Sequence, residues 1–118
     1  MAINKYSEKR PWGGFERFTL NESSTVKLIT VLPNQKLSLQ FHHERTEFWR
    51  VIKGTATVMI GDKTLQAKEG DEFSIPKEVQ HRLMAGAEGV TVLEIATGIF
   101  SEEDEIRLSD DYNRTSPI

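Results

Sequence analysis

The sequence predicts an all-β fold, a small sandwich or barrel. Three observations carry that prediction. Apolar and polar residues alternate in short runs, the period of a half-buried strand. Gly and Pro cut the chain into eight or nine such runs at roughly regular spacing, the rhythm of strands and turns in sandwiches and barrels. No convincingly long stretch before the C-terminal region repeats with a helical period.

The elements follow in order. "STVKLITVLP" is β-branched and alternating, and Pro33 ends it, since proline cannot donate to a ladder. "KLSLQFHH" follows a turn at Asn34-Gln35. "TEFWRVIKG" and "TATVMIG" read as two strands joined at Gly54, and "DKT" turns the chain into "LQAKEG". "DEFSIPKEVQHRLMA" holds two more short strands around Pro76, and "GVTVLEIATGIF" is the last clear strand. The acidic, cap-rich "SEEDEIRLSDDYNR" reads as a turn of helix or an ordered tail. No repeat, low-complexity segment or linker divides the chain, so one domain over residues 1–118 is expected.

Composition narrows the function. A chain of 118 residues buries about two-thirds of its unfolded surface, enough for a core without staples. Its 37% hydrophobic and 28% charged residues are those of an ordinary globular protein. The 15 basic and 18 acidic side chains leave a net charge of -3, which argues against a nucleic-acid partner. The lack of cysteine excludes disulfides, thiolate metal sites and cysteine nucleophiles. The start, "MAINKYSEKRPWGG", lacks the apolar core of a signal peptide, and no apolar run reaches membrane-spanning length. The expected location is the cytoplasm, with no membrane partner.

The stretch "LSLQFHHERTEFWRVIKG" is unusual on its polar side. Ser38, Gln40 and His42 share one parity, and Leu37, Leu39 and Phe41 the other. With Gln40 and His42 turned into a barrel mouth, the three apolar residues are expected to pack outward, on a second layer or a partner. Glu47, Trp49 and Val51 share a parity on the next strand, and His81 waits on a later one; His43 has the wrong parity. Gln40, His42, Glu47 and His81 thus form a candidate cluster suited to a divalent first-row metal. Each has a plainer reading by itself. Adjacent histidines are commonly surface residues, a glutamate beside an aromatic is commonly a rim residue, and glutamine is a poor metal ligand.

The second half of the pattern lies far along the chain. "GDEFSIPKEVQH", Gly70 to His81, resembles the second motif of the cupin family, with Glu78 where glycine is usual. Gln40, His42, Glu47 and Gly54 resemble the first motif, with Asn34 where glycine is usual. Glutamine at the first ligand position is similar to the type II phosphomannose isomerase branch. The likeness extends to "RPWG" (Arg10 to Gly13), "VKLITVLP" (Val26 to Pro33), "IPKEVQHRL" in its IP and HRL (Ile75 to Leu83), "LEIATG" (Leu93 to Gly98) and "RLSDDYNR" (Arg107 to Arg114).

The resemblance implies a cupin barrel, a double-stranded β-helix, that interconverts mannose 6-phosphate and fructose 6-phosphate. It implies one divalent metal on Gln40, His42, Glu47 and His81. Zinc is the metal of the family, and the mixed donors also suit manganese, iron, nickel or cobalt. Larger relatives carry a sugar-nucleotidyltransferase domain ahead of the cupin; nothing here supplies one, so guanylyltransferase activity is not expected. Glu94, in the apolar "TVLEIA", is the candidate base, or else a structural carboxylate paired with a buried cation. Lys27 and Arg45 are candidate catalytic cations, or rim charges. Arg107 matches a family arginine whose fork suits a phosphate or supports proton transfer. Lys27, Ser38 and Trp12 are expected at the sugar phosphate, with core packing as the alternative for Trp12.

The sequence departs from the branch at Phe48, where histidine is usual, and at Ala96, where glutamine is usual; between Gly98 and Arg107 it is one residue short. Ala96 shares parity with Glu94 and is expected to face the pocket. That change keeps other classes open: a binding module for a sugar phosphate or nucleotide sugar, or a cupin epimerase or oxygenase. A homodimer is expected, because such small barrels expose an apolar outer sheet.

Overall fold

A computed structural model describes residues 5–99, 104 and 106–109. These residues form nine strands: β1 (Tyr6–Arg10), β2 (Gly13–Arg17), β3 (Ser24–Val31), β4 (Leu39–Phe41), β5 (Arg45–Ile60), β6 (Lys63–Lys68), β7 (Glu72–Ile75), β8 (His81–Gly98) and β9 (Ile106–Ser109). No helix among the described residues is long and apolar enough to cross a membrane. The C-terminal segment, expected as a helical turn or ordered tail, supplies β9, and residues 110–118 lie outside the described residues.

β1 and β2 pair with each other in a hairpin closed at Pro11 and Trp12. Sequence patterning does not mark this hairpin, because both strands are almost wholly exposed and carry no alternation. Charges fasten it to the body. Lys5 Nζ bridges Glu16 at 3.2 Å and Glu72 at 3.0 Å, and Arg50 Nη1 reaches Glu16 at 2.5 Å.

The other seven strands form one sheet in the order β6-β5-β8-β4-β9, with β3 on β8 and β7 on β5. Two strands dominate it. β5 runs 16 residues and β8 runs 18, where the sequence suggested two short strands each. Their joints are bends instead of breaks. The β5–β8 register shifts between Val51 and Lys53 and again between Gly54 and Ala56. Gly54 sits there at φ +86°, and a Cβ on it would collide with the carbonyl of Gly89. Only glycine allows both the dihedral and the close approach.

The inner faces change character along their length. Val58, Ala56, Val51 and Trp49 on β5, Leu83 on β8, and Val90 and Val92 further along β8 form the apolar core with Val31, Ala67 and Ile75. Leu83 and Val58 are fully buried, and truncating a leucine in such a place costs about 2–5 kcal/mol. One step beyond the core on the same parity, each strand presents a polar group. Trp49 gives way to Glu47, Leu83 to His81, and Val92 to Glu94. The packed half of the interior therefore holds rigid the strands that carry the polar half.

Candidate metal centre

Three buried side chains converge at the polar end. His42, Glu47 and His81 each offer a donor atom, all within 4.8 Å of one another. His42 Nδ1 lies 3.5 Å from Glu47 Oε2, and His81 Nε2 lies 3.7 Å from Glu47 Oε1. Gln40, the fourth residue of the cluster, is buried and stands opposite His81 across the β4–β8 pair. His43 is outside the cluster, exposed and 3.1 Å from Glu78, as its parity required.

Neighbouring groups fix these donors. His81 Nδ1 lies 2.9 Å from the Val79 carbonyl; donating there places the lone pair on Nε2, the atom near Glu47. Burial holds His81 below its ordinary 6.5 against the pull of Glu47, so the ring is neutral, as a metal ligand must be. Glu47 receives N–H bonds from Arg45 Nε at 3.1 Å and Trp49 Nε1 at 3.0 Å. Its own burial would raise its pKa, but His81, His42, a hydrogen bond with Glu94 and Arg45 outweigh this and hold it below its ordinary 4.5. The Gln40 amide N–H donates to Ser38 Oγ at 2.9 Å, which leaves its carbonyl oxygen as the donor for a cation. Two imidazoles, an anchored carboxylate and an amide oxygen suit a divalent first-row metal.

Glu94 shares the cavity with this cluster. Burial, followed by the charge of Glu47, pushes its carboxyl up to about 8. It therefore carries its proton at neutral pH, where Glu47 does not. Lys27 stands opposite Glu94 across the β3–β8 pair and pulls the other way.

The cavity, about 220 Å³, is lined by Lys27, Arg45, Glu47, His81, Glu94 and Arg107 among others. Most of the expected site residues are therefore together. Arg107 enters from β9, opposite Gln40. Arg45 is buried and engaged with Glu47, so it braces that carboxylate and is no rim charge. Ser38 is fully buried with its hydroxyl bonded to Gln40, which makes it a partner of that side chain.

Three expectations fail. Trp12 sits in the β1–β2 turn, 71% exposed and off the cavity wall, because the hairpin pairs only with itself. Leu37 lines the cavity instead of packing outward, because the ladder around it is irregular: Lys36 forms a lone bridge and β4 begins only at Leu39. Ala96 is buried beside Glu47 in register but is not on the cavity wall. Phe48 points away from the cavity and packs on Phe18 at 5.5 Å between ring centroids.

Two site residues escaped the sequence reading of function. Trp49 holds Glu47, a role its shared parity with Glu47 could have signalled. Arg82 lines the cavity and donates to the Leu37 carbonyl at 2.8 Å, a contact with no sequence signal.

The family described as Mannose-6-phosphate isomerase C-terminal matches residues 3–111. The chain belongs to this family. It is 42% identical over 108 residues to the xanthan biosynthesis protein XanB of Xanthomonas campestris, an alignment covering 90% of this chain and 23% of that protein. The chain thus spans about a quarter of the relative's length. Among solved structures, it resembles oxalate decarboxylase from Bacillus subtilis with a TM-score of 0.68 and 28% identity, over 74% of this chain and 24% of that one. Another structure of that enzyme concerns its Mn(II) centres. A cupin protein from Bacteroides fragilis matches with a TM-score of 0.60 at 15% identity, over 70% of each chain. The fold of this family member is the cupin, or double-stranded β-helix, barrel.

Proposed function

We propose that this chain is a metal-dependent aldose–ketose isomerase acting on a sugar phosphate, with mannose 6-phosphate and fructose 6-phosphate as the pair. One observation carries the reading: a buried His42–Glu47–His81 donor set lies at the cavity that the carboxyl of Glu94 also lines. Family membership and the fit to a metal support it; zinc is the metal proposed, with Gln40 as fourth ligand. The metal supplies Lewis acidity to the sugar's oxygens. Glu94 moves the proton between neighbouring carbons. Without a cation the Glu94 carboxyl sits at about 8; the charge of a bound cation would favour its ionised form, from which it can take a proton and return it, as a shift from one carbon to the next requires. Lys27, beside Glu94, stabilises the developing enediolate, and Arg107 takes the phosphate through its planar fork. Arg45 and Trp49 keep Glu47 in place.

The test is conversion of mannose 6-phosphate by the purified, metal-analysed protein, with fructose 6-phosphate detection and a parallel run in heavy water. Deuterium should appear at C1 or C2 of the recovered sugar. Glu94→Gln should lower turnover by about 100 to 10,000-fold while metal content stays near wild type. A wild-type protein that binds the sugar phosphate but neither isomerises it nor exchanges its protons is a binding module, and the enzyme reading fails.

A further inference from the structure

Asp104 and β9 lie against the stretch before Arg45 that carries Gln40 and His42. In β9, Arg107 stands opposite Gln40 and Ile106 opposite Phe41, while Ser109 pairs with Leu39. Ahead of β9, the Asp104 carboxylate accepts the backbone N–H of His43 at 3.1 Å from each oxygen, and that of Glu44 at 2.9 Å. Those amides directly follow His42, whose own carbonyl accepts the N–H of Glu78 at 2.6 Å. Residues 42–44 belong to no strand. Their backbone is therefore held by Asp104 on one side and Glu78 on the other, without a ladder.

One stretch of chain thus touches two parts of the site. Its Asp104 grips the loop that presents His42, and its Arg107 faces the cavity. We propose that this stretch couples the two: an anion held at Arg107 seats β9 on β4, and the seated segment, through Asp104, sets His42 for the cation. Asp104 is a positioning residue and meets neither ligand. The inference rests on the metal and phosphate reading above. Linkage then demands reciprocity. Phosphate must tighten the metal, and the metal must tighten phosphate by the same factor.

Zinc dissociation constants from chelator competition, with and without inorganic phosphate, test this in the full chain, alongside phosphate affinity with and without zinc. In the wild type each should tighten the other by about 5-fold or more. Asp104→Ala should weaken zinc by about 10- to 100-fold, the usual effect of losing a group that orients a ligand. It should abolish the mutual effect and speed hydrogen exchange at the His43 and Glu44 amides. Asp104→Asn keeps one carbonyl acceptor and should fall between, which serves as the reading if the alanine variant does not fold. In Arg107→Ala the zinc affinity should show no response to phosphate. Wild-type zinc affinity and an intact phosphate response in both Asp104 variants overturn the coupling. A wild type that binds no zinc instead overturns the metal reading beneath it, a result recognisable before any variant is made.

Discussion

Glu94 and Glu47 meet inside one cavity with opposite preferences for the proton, and this has a consequence for stability. A carboxyl raised from 4.5 to about 8 favours the folded state where it is protonated, and that contribution drains away as pH rises through its folded value. His81 has the opposite sign: lowered by burial from 6.5, it costs stability in acid and stops mattering above that value. Between pH 6.5 and about 8 the Glu94 contribution falls. The metal-free protein should therefore lose up to about 2 kcal/mol across this window, seen as a falling Tm, and Glu94→Gln should flatten the slope. A Tm equally flat in both proteins would place the Glu94 pKa near its ordinary value. At this scale the sequence was informative wherever strand parity decides orientation, because period-two alternation fixes which side a residue faces. Gln40, Glu47, His81 and Glu94 were legible for that reason. The Val79 carbonyl that orients His81 was not, since a backbone acceptor leaves no mark in the residue type. Nor was Leu37, where the strand loses its regularity.

Among the elements, the turn between β7 and β8 leads into His81 and carries the grip on His42. Glu78 occupies it at φ +64°, a left-handed conformation that costs a side-chain-bearing residue about 1 kcal/mol or more. This is a physical reason for the glycine usual in the cupin motif at that position. Its ion pair with His43 is exposed and worth little. Glu78→Gly should raise stability by about 1 kcal/mol, measured by denaturant midpoint, because the Glu78 N–H that holds His42 is kept. A destabilised variant would mean that the His43 contact outweighs the strained backbone. The long strands show the limit of reading elements from sequence. Gly54 was recognised as a joint, but a glycine marks a turn and a bend alike. What separates them is the approach of Gly89, which lies 35 positions away and is visible only once the strands pair.

For the whole molecule, β3 is the exposed question. It pairs with β8 along one side, and no partner lies along its other side among the described residues. Its outward residues Val26 and Leu28 are 60% and 69% exposed, and Leu32 just beyond is 68% exposed. An open apolar edge invites pairing with a second copy, and a two-fold axis satisfies both copies at once. Sedimentation at micromolar concentration should give the mass of two chains, and Leu28→Lys should shift it towards one. A wild-type mass of a single chain would show that the edge stays unpaired. The overall class was legible because alternation and punctuation recur along the whole length. The N-terminal hairpin was not, since it is held by the charges of Lys5, Glu16, Arg50 and Glu72, which meet only in three dimensions.

The indole that steadies Glu47 also gives the site an optical signal of its own. Trp49 is only 2% exposed, and its ring lies edge-on to that of His81 at 5.7 Å between centroids. The second tryptophan, Trp12, stands in water. Their fluorescence should separate by wavelength, the sheltered chromophore emitting to the blue. Titration with Co²⁺, an open-shell ion that quenches at short range, should darken the blue component and spare the red, whereas closed-shell Zn²⁺ should block that quenching when added first. Replacing Trp12 by phenylalanine would leave a chain whose entire emission reports on filling of the centre, with no dye attached. Equal quenching of both components would mean that Co²⁺ acts by collision in solution and does not enter the barrel.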